Sequence, residues 1–158
     1  MRCGVTAGRG WRWGASLIAI TVGVTGCVRT ISPARTFDAY EHKAKDTAES
    51  VLSAVQTARL GARVGTDGDA FGPYVSVLLS EAEEGASHAH ATFDSVQPPD
   101  AHADRLRRRL GTLLTKSDDH LSTLRIAARR GELGRLARLA VPLRPLAREL
   151  DQFISRHE

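Results

Sequence analysis

The chain has 158 residues, 42% of them hydrophobic and 5% aromatic, and a formal net charge of +4. That length suits one domain with a single core. Three of the positive charges (Arg2, Arg9 and Arg12) fall in the first 26 residues, and the remaining 132 carry 19 basic and 18 acidic side chains, a near-neutral balance that removes the main argument for nucleic-acid binding.

Residues 17–27 form an apolar run that ends in Val24, Thr25, Gly26 and Cys27. A basic start, a short apolar core and small residues at a cleavage point are the layout of a secretory signal peptide. Residues 17–26 are half the roughly 20 needed to cross the hydrocarbon layer as a helix, so removal is expected; the alternative is a single-pass protein that keeps this segment as an anchor. Val24-Thr25-Gly26-Cys27 resembles a bacterial lipobox. The resemblance implies that Cys27 is lipidated and becomes the first residue of the mature protein, which is exported and held at the outer face of the cytoplasmic membrane. Cys3 leaves with the signal, so Cys27 is the one mature cysteine and no intramolecular disulfide forms. The expected division is a signal peptide over 1–26, a lipidated tether over 27–36 and a helical domain over 37–158.

After the polar tether, where Ser32-Pro33 is a candidate helix start, Phe37, Tyr40, Ala44, Ala48, Val51, Val55 and Ala58 recur at three- and four-residue steps. That is the period of one helix face. Gly61, Gly65, Gly68 and Gly72 are expected to end this helix in a loop around Asp67 and Asp69. Gly72-Pro73 starts a second helix, with Val75, Leu78 or Leu79, Ala82, Ala86, Ala89, Phe93 and Val96 on one face, closed by Pro98-Pro99. Asp100 caps a third, along which Leu106, Leu110, Leu113, Ser117, Leu121 and Leu124 continue the pattern to Gly131.

The fourth segment carries Leu133, Leu136, Ala140, Leu143, Ala147, Leu150 and Ile154, and is interrupted by Pro142 and Pro145. Each proline removes a backbone donor and crowds the preceding turn, so a kink or short break is expected near Val141. No strand-like alternation occurs. The expected fold is all-α: an antiparallel up-and-down four-helix bundle with its last helix kinked.

Charge is divided unevenly: residues 38–104 hold 12 acidic and 4 basic side chains, residues 105–158 hold 6 and 13. An acidic hairpin packed beside a basic one accounts for this. The sharper reading is a basic face around Arg105, Arg107, Arg108 and Arg109 that meets anionic lipid or an anionic wall polymer, although four arginines within about one turn cannot share one direction.

Of the six histidines, His88 lies one turn from Glu84, and these two are the nearest candidates for metal ligands, with Asp100 or His102 approaching across the next turn. The Glu-x-x-His pairs of a di-metal bundle are absent, and no cofactor is expected. Asp67-Gly68-Asp69 lacks the later ligands of a calcium loop, since Phe71 and Leu78 stand in their places. Ser87 beside His88 projects away from it, so no catalytic dyad forms.

The Arg, Ala and Gly usage, without a single Asn, is similar to that of proteins from high-GC Gram-positive bacteria. Residues 93–150 are similar to small helical actinobacterial envelope proteins without assigned function. The expectation is a non-catalytic lipoprotein that binds or scaffolds an envelope component, with a small-ligand or metal carrier as the alternative.

Overall fold

The computed structural model describes residues 34–157. They are all helical, with no strand among them: α1 (Phe37–Asp67), α2 (Gly72–Asp94), α3 (Ala101–Arg129), α4 (Leu133–Leu139) and α5 (Leu143–Ser155). The apolar stripes read from the sequence form the core. Tyr40, Ala44, Ala48, Val51, Val55 and Ala58 of α1 are all buried, as are Leu106, Leu110, Leu113, Ser117, Leu121 and Leu124 of α3. Ser117 is tolerated in that interior because its hydroxyl donates to the Leu113 carbonyl one turn back, at 2.9 Å.

α1 packs against all four other helices. α2 and the α4–α5 segment each lie on both α1 and α3. At one end of this helical bundle the Phe37 ring stacks on His102, with centroids 4.1 Å apart, and His157 Nδ1 lies 2.6 Å from Glu41 Oε1. At the other end Thr66 of α1 reaches α4, where its hydroxyl accepts from Ala137 N at 3.0 Å.

Two sequence expectations need correction. The first concerns Gly61 and Gly65, which do not end α1; the helix runs through both to Asp67. A methyl group at Gly65 would lie 3.0 Å from Val75 Cγ1 of α2 and 3.1 Å from Leu136 Cδ1 of α4, and one at Gly61 would lie 3.0 Å from Leu78 Cδ2. These glycines therefore let neighbouring helices approach, a use that composition alone cannot distinguish from a turn. The stop is Gly68, at φ 78°, and the Asp69 amide closes the cap by donating to the Val64 carbonyl.

The second correction concerns helix number: the short break expected near Val141 is present and divides the fourth segment into two helices, so the described residues hold five and not four. Pro142 and Pro145 cannot donate to the carbonyls of Arg138 and Val141, and each ring crowds the turn before it. After Ala140 the bonding tightens to three-residue steps, Val141 N to Arg138 O and Leu143 N to Ala140 O, and α5 starts with Pro142 as its N-cap, where both prolines fall in or beside the first turn and their missing donors cost little. The start of α1 also differs in detail. Its cap is Thr36, whose hydroxyl accepts from Ala39 N at 3.3 Å, and Ala34 is already buried against the core.

Candidate functional site

The lipobox residues Val24, Thr25, Gly26 and Cys27 lie outside the described residues, as does the rest of the apolar run. Among the described residues no helix is long and apolar enough to cross a membrane. Two seams of the helical domain carry most of its organised polar chemistry.

The first runs between α2 and α3. Glu83, Ser87, His90 and Asp94 recur at three- and four-residue steps and so form one line along α2. In antiparallel order they meet Arg125, Asp118 and Arg107 of α3. Arg125 pairs with Glu83. Ser87 Oγ donates to Asp118 Oδ1 at 3.1 Å. His90 Nδ1 lies 2.6 Å from Asp118 Oδ2, and its Nε2 lies 3.3 Å from Asp94 Oδ2. Arg107 donates to the Asp94 main-chain carbonyl at 2.9 Å and so covers the C-terminal end of α2.

Each side chain here is engaged by the facing helix. Ser87 donates to a carboxylate, and both nitrogens of His90 face carboxylates, so serine and imidazole are not paired as nucleophile and base. The seam sets the α2–α3 register. His90 sits half-buried on this line facing α3, whereas Glu84 and His88 are exposed on α2. His102 stacks on Phe37 instead of approaching them. No group of three or more His, Cys, Asp or Glu among the described residues is placed to hold a metal ion.

The second seam is a groove of about 310 Å³ between α3 and α5. Arg109, Thr112 and Lys116 line one wall, Glu149, Gln152 and Arg156 the other, and the buried side chains Leu113 and Phe153 contribute its floor. Lys116 Nζ is 3.2 Å from Glu149 Oε2, so one cation is already matched within the groove. Arg109 and Arg156 form no ion pair among the described residues.

The four arginines of the expected basic face therefore separate: Arg107 turns to α2, Arg109 lines the α5 groove, and Arg105 and Arg108 are exposed. Both walls of the groove repeat at steps of three and four. That spacing is visible in the sequence, but only the α3–α5 pairing brings the two lines together.

Tyr40 is an ionisable group whose pKa the fold displaces. It is fully buried beside Phe93, and its hydroxyl has no partner. Burial pushes the phenol above its ordinary value of 10.0; Arg107 works in the opposite direction, and Asp94 and Asp104 add to the rise. The exposed large apolar residues include Leu60 near the end of α1, and Phe71, Tyr74 and Val77 around the start of α2.

No family model matches the chain, and neither a curated protein nor a solved structure matches it.

Proposed function

We propose that this chain is a lipid-anchored, extracytoplasmic helical-bundle protein with a non-catalytic binding or scaffolding role at the outer face of the cytoplasmic membrane. The observation that carries the reading is Val24-Thr25-Gly26-Cys27, placed directly after a short apolar core with a basic start. A lone mature cysteine at that position has a use if it bears lipid. The non-catalytic part is supported by how the polar side chains are spent: serine, histidine and carboxylates of the α2–α3 seam bond across helices.

The domain itself is an antiparallel up-and-down four-helix bundle in which α4 and α5 together make the fourth member. Support comes from the two sets of end contacts. Phe37 meets His102 and Glu41 meets His157 at one end, whereas Thr66 and Gly65 meet α4 at the other. With α1 and α3 running one way, α2 and α4–α5 run back.

Expression of the full chain in a bacterium, followed by intact mass of the membrane fraction, tests the anchor. The expected species begins at residue 27 and carries added acyl mass, and Cys27→Ser abolishes both changes. If Cys27→Ser leaves a wild-type pattern, with both proteins membrane-bound at full uncleaved mass, residues 1–26 are a retained anchor and the lipoprotein reading is wrong.

A further inference from the structure

We propose that the α3–α5 groove docks onto phosphate headgroups of anionic phospholipids in the membrane that carries the anchor, so that the bundle lies against that membrane. The inference rests on the lipid-anchor reading above and adds an orientation and a ligand chemistry to it.

Three observations carry it. The first is the chemistry of the groove. Arg109 of α3 and Arg156, the residue that caps the end of α5, both line it, and Thr112 and Gln152 supply neutral hydrogen-bonding groups. Guanidinium groups present planar, paired donors that suit phosphate oxygens. Among the described residues Glu149 is the one carboxylate in the lining, and Lys116 already pairs with it. The volume of about 310 Å³ lies at the lower end of the roughly 300–1,000 Å³ typical of ligand sites, enough for a phosphate-bearing headgroup.

The second observation is position along the bundle. The end that holds the start of α1 also holds the start of α3 and the end of α5, through the Phe37–His102 and Glu41–His157 contacts. Arg156 precedes His157 directly, and Arg109 lies seven residues beyond His102 on α3, roughly 10 Å along the axis. Cys27 stands ten residues before Phe37, a reach of at most about 36 Å. A membrane holding Cys27 is therefore within range of the groove.

The third is charge distribution. Asp38, Asp100 and Asp104 are exposed at the same end, in the first turn of α1 and around the start of α3. That end carries both signs, with Arg35, Arg105 and Arg108 also exposed there, and the α3–α5 groove is where two guanidinium-bearing side chains line one concavity. A local attraction orients the bundle, whereas a diffuse one would only hold it near.

The test uses the full chain on vesicles, with a fluorophore coupled through an azide-bearing residue in place of Ser155, an exposed residue next to Arg156, and a nitroxide quencher on the lipid headgroups. In phosphatidylcholine vesicles quenching is expected to be low, rising as phosphatidylglycerol is added and falling again in high salt. The double variant Arg109→Gln/Arg156→Gln is expected to lower the docked-to-undocked ratio on the order of 10-fold. Arg63→Gln, an exposed charge near the far end of α1, should leave the response unchanged. Circular dichroism of each variant checks that the helices are intact.

Equal quenching with and without phosphatidylglycerol overturns the proposal, and so does an equal loss in Arg63→Gln. Reversal by millimolar inorganic phosphate reassigns the groove to soluble phosphate compounds and also overturns it. Intact mass on the same sample reports acylation of Cys27 separately. A chain without acyl mass sinks the anchor reading, while the phosphatidylglycerol response still decides the groove.

Discussion

The Tyr40 hydroxyl is buried beside Phe93 with no hydrogen-bond partner. Burying a hydroxyl without compensation is unfavourable, so removing it should cost nothing or help. We expect Tyr40→Phe to change stability at neutral pH by between zero and about +1 kcal/mol in favour of the fold, measured by urea denaturation. The sign of the alkaline effect follows from the raised phenol. Above pH 10.0 the unfolded chain releases this proton while the folded chain keeps it. The unfolded state then binds fewer protons, and stability falls as pH rises. In Tyr40→Phe that part of the alkaline loss should disappear; an unchanged slope above pH 10.0 would contradict the assignment. Absorbance titration of Tyr74→Phe, which leaves Tyr40 as the sole tyrosine of the chain, should give a phenolate midpoint above 10.0.

At the scale of elements, the helices differ in what holds them. α1, at 31 residues, is capped at both ends and packed along its length. α4, at seven residues, has no side-chain cap bond, and a helix that short is not stable by itself. Its anchor is Thr66, whose hydroxyl accepts from Ala137 N at 3.0 Å and lies 3.2 Å from the Leu133 carbonyl. Thr66→Val keeps the shape and removes these links. A loss of about 1 kcal/mol is expected, together with faster amide exchange over residues 133–139 than elsewhere.

The glycines provide a sharper comparison. Gly111→Ala adds a methyl group in open space within α3 and should stabilise by about 0.5–1 kcal/mol through helix propensity. Gly65→Ala gains the same propensity but presses on Val75 and Leu136 from two helices at 3.0 and 3.1 Å. Overpacking of this kind costs about 1–3 kcal/mol, so the net effect should be destabilising. Thermal unfolding of the two variants should move in opposite directions.

For the whole molecule, the acidic first half and the basic second half meet along helix seams. Glu83–Arg125 and Asp94–Arg107 join α2 to α3, and Glu41 meets His157 across the chain ends. Partly exposed pairs of this kind contribute about 0–1 kcal/mol each, whereas the core buries most of the apolar stripe of α1, α2, α3 and α5. Raising salt should therefore lower the melting temperature by only a few degrees. A large salt-dependent collapse would mean that charge, and not apolar burial, holds the bundle together.

Much of this molecule was determined by local pattern. The apolar period of Tyr40 to Ala58 and of Leu106 to Leu124 specifies which faces are buried, because a helix turns by the same angle whatever it packs against. Asp100 as a cap follows from side-chain chemistry within three residues, and its carboxylate accepts from His102 N and Ala103 N at 2.8 Å. Tertiary structure decided the rest. Whether Gly65 breaks a helix or admits a neighbour depends on Val75 and Leu136, ten and 71 positions away. Whether Arg107 and Arg109 act together depends on which helices flank α3, and they face different ones. His90 and Asp118, or Arg109 and Arg156, become neighbours through helix register alone. Local sequence sets each helix and its apolar face, but the meeting of polar groups on different helices is a property of the packed assembly.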